Sequence, residues 1–289
     1  MKHKVRKYLK KLFKGQFKKI IEIINALTQF INKILGKQHF GRKRMGMIYV
    51  VSGWFVKAKT NCPWDQMPEP IGNGKTINGW FNRLSKLDIV ENFYNRLLIV
   101  FLENNVINLN RLLCDGMLCF APRGGTLAKR NPRVRNKSCI NRLTMSNGSG
   151  VPLVAIIAEG TAHDSPYLPL LLSKVHDLKV LPKGFYAHAD RGFDAVSNVV
   201  AVSGFGGTAI IATRYRKNDI KYFSNKDRFR WKIERTQSWK NSFKAVKTCL
   251  ERNTQSIKSM TYISFAAILS RFTSIRTFKK ATRLVMNDF

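Results

Sequence analysis

Residues 111–120 read RLLCDGMLCF, and this stretch decides how the rest of the chain is understood. Its apolar residues mark a strand, and Asp115 interrupts them near the middle. A carboxylate there either faces a functional cleft or carries a heavy desolvation cost. Downstream, Val151–Ala158 is a nearly continuous apolar run, the pattern of a buried strand. Pro166–Val175 predicts a helix, Gly184–Asp190 a strand, Phe193–Val202 a helix and Gly207–Thr213 another strand. A long helical stretch from Asp227 to Leu250 and a final apolar helix, Met260–Phe272, complete the pattern. Strands that come first and then alternate with helices predict an α/β or α+β domain with a mixed sheet.

Upstream of this region the chain reads as all-helical. Phe13, Phe17, Ile20, Ile24, Leu27, Ile31 and Ile34 recur in alternating steps of four and three, the seam of an amphipathic helix. Such a seam packs on its own protein, dimerises, or lies against phosphates or a membrane surface. Gly36, Gly41 and the run Arg42-Lys43-Arg44 mark a boundary before an apolar helix at 43–57. A loop rich in Pro and Gly, Cys62–Gly74, follows. Thr76 then reads as the N-cap of a helix carrying Ile77, Trp80, Phe81 and Leu84. After a break at Ser85-Lys86, Leu87, Val90, Phe93, Tyr94, Leu97, Leu98 and Phe101 form a longer helix. Two helices joined by a tight turn, with Lys75, Arg83 and Lys86 on the polar side, fit either a helix-turn-helix or an ordinary helical hairpin.

The charge balance favours the first of these. Of 289 residues, 51 are Lys or Arg and 17 are Asp or Glu, a formal charge of +34. That excess sets aside an acidic or neutral metabolic enzyme and points to a polyanion. Hydrophobic residues at 44% set aside disorder. The five cysteines form no CxxC pair, which argues against zinc and fits a reducing compartment. The longest nearly uncharged apolar stretch, Met45–Phe55, is too short to span a bilayer, and lysines interrupt the N-terminal region where a signal peptide would need an apolar core. A cytoplasmic, nucleoid-associated protein is the expectation.

Three acids stand out by context. Asp115 lies inside a strand, Asp190 ends the strand GFYAHAD, and Glu234 lies in the basic helix RFRWKIERTQSWKNSFK. Two strand-borne aspartates and a helix-borne glutamate can converge on hard divalent cations, and a pair of such ions can clamp the attacking and leaving oxygens of a phosphodiester. Each signal has a plainer reading as a turn residue, a cap or a solvated ion pair. Asp164, Asp177, Asp194, Asp219 and Asp227 read as capping residues. Trp231 and Trp239 read as core, His163 and His188 as satisfied polar positions, and SGFGGT (203–208) as a helix-to-strand turn.

Order and local sequence together resemble a known family. RWKIERTQSWKNSF (230–243), AHADRGFDA (187–195), GVPLVAIIAEGTAHDS (150–165), CDGMLCFAP (114–122) and CPWDQMPEPIGNGKTINGWFNRLSK (62–86) resemble, in the right order, segments of the DDE transposases of bacterial insertion sequences. The resemblance is to the "family five" group of the family-four-like superfamily and covers roughly residues 40 to 272. It implies a ribonuclease-H-like mixed sheet flanked by helices, with Asp115, Asp190 and Glu234 matching the DDE triad and binding two Mg²⁺ (or Mn²⁺) ions. The implied chemistry is hydrolytic cleavage at element ends, then attack of the freed 3′-hydroxyl on target DNA. Double-stranded DNA is the implied partner, as terminal inverted repeats and as target, bound by a homodimer or higher assembly with no membrane involved. Arg230 matches the arginine of the superfamily's tyrosine–arginine–glutamate–lysine signature. Asn241 stands at the lysine position, with Lys240 and Lys244 close by, and Arg235 adds a further phosphate contact. Phe120, Pro122 and Asn141 stand where many relatives carry a basic residue, a histidine and a lysine. The implied organisation is a basic helical arm at 1–40, a helical DNA-binding domain at 41–107 and a catalytic domain at 108–289. A plain nuclease of the same fold, or a decayed transposase that only binds DNA, shares most of these features.

Overall fold

The computed structural model describes residues 1–36, 44–212 and 230–287. These form two compact units, one from 102–239 and one from 1–101 together with 240–289. The C-terminal fifty residues therefore cluster with the N-terminal helices, whereas the expected division continued the catalytic region to the end of the chain.

In the 102–239 unit the sheet is built around β1 (Arg111–Phe120), whose bounds are those read from the sequence. Its other strands are β2 (Lys129–Asn131), β3 (Lys137–Asn147), β4 (Pro152–Glu159), β5 (Tyr186–Ala189) and β6 (Thr208–Ile211). The order is β2-β3-β1-β5-β6, with β4 also paired to β3. β3 runs antiparallel to β1, from Leu112↔Asn147 to Phe120↔Cys139, and β4 runs antiparallel to β3. β5 and β6 are parallel, with Cys114↔Ala189 and Ala189↔Ile211 in register. Helix α6 (Tyr167–Leu178) precedes β5, and α7 (Val196–Gly204) precedes β6. The sheet is therefore mixed and flanked by helices, as expected.

β3 escaped the sequence reading because its residues, KSCINRLTMSN, do not look buried. Yet Asn141, Arg142, Thr144, Ser146 and Asn147 are all buried in it. Flanked by β1 and β4, the strand has backbone partners on both edges, and among its polar side chains Arg142 Nη1 donates to Cys119 Sγ. The glycine turn 203–208 is the expected helix-to-strand connection. Gly206 has φ +79°, and a Cβ on Gly207 would stand 2.5 Å from the Phe185 ring.

The predicted long helix from 227 to 250 resolves differently. Residues 227–229 lie outside the described ones; α8 spans Arg230–Asn241, the helix is interrupted at Ser242-Phe243, and a short α9 spans Lys244–Lys247. Phe193 falls in a 3₁₀ turn, Arg191–Phe193, so the next helix starts three residues later than expected.

The other unit is helical: α1 (His3–Phe13), α2 (Phe17–Leu35), α3 (Met47–Thr60), α4 (Gly74–Ser85), α5 (Ile89–Glu103), α10 (Thr254–Leu269) and α11 (Ile275–Asn287). The apolar seam of α2 is used within the chain. Ile20, Ile24, Leu27 and Ile31 are buried, and α2 packs on α3 and α11. α10 is buried along almost its whole length, its Tyr262 stacking near Tyr94 of α5 at 5.5 Å. The cap of α4 is Asn73, not Thr76: Asn73 Oδ1 accepts from the Thr76 N–H at 3.0 Å. Gly74 follows because a Cβ there would overlap the Trp64 carbonyl. α11 was not foreseen. Among the described residues no helix is long and apolar enough to cross a membrane.

Candidate active site

The two predicted aspartates come level where β1 passes the end of β5. Cys114 and Ala189 are the last paired residues of these parallel strands, so Asp115 and Asp190 are the next residue on each. Asp190 leaves the strand and caps the turn that follows, its Oδ1 accepting from the Gly192 N–H at 2.9 Å. Asp115 is half-buried, and its Oδ2 accepts from Gln237 Nε2 at 2.8 Å.

That bond depends on how α8 is anchored. Thr236 Oγ1 donates to the Gly150 carbonyl at 2.8 Å, and Arg235 Nη2 donates to the Ser149 carbonyl at 2.9 Å. Both carbonyls belong to the turn between β3 and β4. Gly150 is required twice over, with φ +89° and Thr236 Oγ1 at 2.7 Å from where a Cβ would lie. Glu234 sits one turn before Gln237, on a neighbouring part of the helix surface, and is exposed. The α8 residue that touches Asp115 is thus Gln237, which the sequence reading passed over; its spacing of three from Glu234 was the available signal.

A second carboxylate joins Asp190 instead. Asp164, read from the sequence as a cap, caps nothing with its side chain: the N-cap of α6 is Pro166, without a side-chain bond. Asp164 Oδ1 accepts from Asn141 Nδ2 at 2.6 Å. It lies so close to the backbone that a Cβ on Gly116 would come within 2.7 Å of Oδ1. A Cβ on Gly192 would stand 3.0 Å from both Asp164 Oδ2 and Asp190 Oδ1. Gly116, Asn141, Asp164 and Asp190, with Arg133 and His163, line a cavity of about 480 Å³. Burial, reinforced by the Asp190 charge, raises the pKa of Asp164 above the ordinary value, against the Asn141 hydrogen bond and the charges of Arg133 and His163.

Oxygen donors of this kind suit a hard divalent cation. Among the described residues, however, no three of His, Cys, Asp or Glu stand together as a metal-holding group. Asp115 and Asp190 are brought level, Asp190 and Asp164 converge, and Glu234 is not gathered with them.

The predicted basic contacts divide. Lys75, Arg83 and Lys86 are exposed on or just after α4, and Lys244 is exposed on α9. Lys240 is fully buried, which leaves its ammonium no surface to offer a phosphate as expected of it. Arg235 is spent on Ser149 and is stacked between Trp231 and Trp239, 4.7 Å from each ring. Trp231, expected in the core, is 53% exposed. The side chain of Arg230 lies outside the described residues. His188 is a satisfied polar position as expected, buried and 3.2 Å from Arg111 Nη1.

No protein-family model matches the chain. A protein of Burkholderia cepacia described as a transposase for insertion sequence element IS402 is 25% identical over 147 residues, covering 49% of this chain and 66% of its own length. The match thus spans just under two thirds of that relative. Among solved structures, a piggyBac transposase synaptic complex with hairpin DNA aligns with a TM-score of 0.44 and 13% identity, over 96% of this chain and 78% of its own. The resemblance to insertion-sequence transposases found in the motifs therefore recurs in a match over about half of the chain.

Proposed function

We propose that the chain is an insertion-sequence transposase of the DDE type, which cuts DNA at element ends and joins the freed 3′-hydroxyl to a target. The observation that carries this reading is that Asp115 and Asp190 each directly follow the last paired residues, Cys114 and Ala189, of two adjacent parallel strands. Strand order supports the ribonuclease-H-like assignment: β4, β3 and β1 are antiparallel, and β5 and β6 follow in parallel on the far side of β1. The motif order and the likeness to the Burkholderia relative support the element class.

In this reading Asp115 and Asp190 would hold Mg²⁺ or Mn²⁺, with Glu234, on the helix whose Gln237 touches Asp115, as the third residue of the triad. The ions, when bound, would polarise the phosphodiester and make an attacking water more acidic. The chain's own contribution is positioning. Gln237 holds one oxygen of Asp115, which restricts the carboxylate's rotation. The Gly192 N–H does the same for Asp190. The exposed Lys75, Arg83 and Lys86 form part of a surface for the phosphates of double-stranded DNA, in line with the overall charge of +34. Acting on two element ends and a target calls for a dimer or higher assembly, working in the nucleoid of the cytoplasm.

A pre-nicked element end incubated with a target plasmid and Mg²⁺ tests the reading. Joined products support transposition. Cleavage without joining would make the protein a nuclease, and neither activity would leave only a basic DNA-binding protein.

A further inference from the structure

Asp164 has no structural employment that explains its position. It starts no helix, and its carboxylate is packed against two glycine backbones beside a second carboxylate. Like charges so placed in a half-buried cavity repel each other unless something positive lies between them. The neighbouring Asn141 makes the same point independently. It is 3% exposed and lines the cavity. Its amide nitrogen is committed to Asp164 Oδ1 at 2.6 Å and to the Ala162 carbonyl at 3.3 Å. Both partners are acceptors, so the orientation of the amide is fixed. Its oxygen, buried, has no donor among the described residues. Two carboxylates and an amide oxygen that accepts no hydrogen bond thus gather around one cavity, and a hard cation is what such oxygens accept.

We propose that Asp164, Asp190 and the amide oxygen of Asn141 form a site for a divalent cation, Mg²⁺ or Mn²⁺, in the cavity beside Gly116 and Gly192. Asp190 and Asp164 both line this cavity, so Asp164 is a ligand in its own right and not a capping residue. Gly116 and Gly192 are the positions that leave room for it, since a Cβ on either would press on the Asp164 carboxylate. The inference concerns binding and stands whether or not the protein cuts and joins DNA.

Mn²⁺ titration of the full chain, followed by calorimetry and by the loss of free-Mn²⁺ electron paramagnetic resonance signal, tests it. Asp164→Asn is expected to remove one bound Mn²⁺ or weaken it by about tenfold or more, with Asn141→Ala weakening the same ion. Circular dichroism establishes that each variant is folded. Asp164→Ser, which still accepts the Asn141 hydrogen bond, serves if Asp164→Asn does not fold. Folded Asp164 variants that bind Mn²⁺ with the stoichiometry and affinity of the unaltered chain would overturn the proposal. So would an unaltered chain that binds no Mn²⁺.

Discussion

Gln237 and Asp115 lie 122 positions apart, yet the Gln237 amide donates a 2.8 Å hydrogen bond to Asp115 Oδ2. The bond ties a helix to the middle of the central strand at a carboxylate in the candidate active site. Gln237→Ala removes it. The expected result is a small stability cost, about 1 kcal/mol, with a much larger fall in strand cleavage, because the carboxylate is no longer held in one rotation. Denaturant unfolding beside a cleavage assay separates the two effects.

Gly150 tests the anchoring of the same helix. Gly150→Ala introduces a side chain where φ is +89° and where Thr236 Oγ1 is 2.7 Å away. The expected cost is about 1–3 kcal/mol, accompanied by faster hydrogen exchange in α8. Unchanged stability and exchange would mean that the helix does not depend on this turn.

Asp164 gives a prediction about pH. Burial and then the Asp190 charge raise its pKa in the folded protein. Its contribution is therefore full below the ordinary carboxylate value and is lost as pH rises through the higher folded value. In chelator, Asp164→Asn is expected to melt at a higher temperature than the unaltered chain at neutral pH, with the difference shrinking in acid. Thermal melts across that range measure it.

In the helical unit, Glu91 accepts from the buried Tyr262 hydroxyl at 2.9 Å and pairs with Lys258 at 2.7 Å, while Lys258 also meets Asp88 at 2.8 Å. Glu91→Ala deprives the buried hydroxyl of this acceptor and the lysine of its more buried partner. A loss of about 3 kcal/mol is expected, read by denaturant unfolding. Glu91→Gln, which can still accept from Tyr262, is expected to lose less.

Where the sequence was legible, one physical signal dominated. β1, β4, β5 and β6 stand out because apolar residues gather in short runs, and Asp115 and Asp190 because they break or end such runs. β3 was invisible because its burial is polar: Asn141, Arg142 and Thr144 are buried, and contacts such as Asn141 to Asp164 and Arg142 to Cys119 join residues that no local pattern brings together. Asp164 was misread for the same reason. A loop aspartate before a helix looks like a cap, and only the approach of Gly116, Gly192 and Asn141 shows otherwise. Gln237 lay in plain view three residues after Glu234, but an amide attracts no notice where carboxylates are sought. The break after Asn241 lay hidden because no glycine or proline marks it.

The central claim is that Asp190 belongs to a DNA-cutting site. Asp190→Asn keeps the size of the side chain and its ability to cap Gly192 while removing the charge. Incubated with labelled element ends and Mg²⁺, the variant is expected to bind DNA as the unaltered chain does, since binding rests on dispersed lysines and arginines, and to produce no cleaved or joined strands. Cleavage by Asp190→Asn at the unaltered rate would contradict the account.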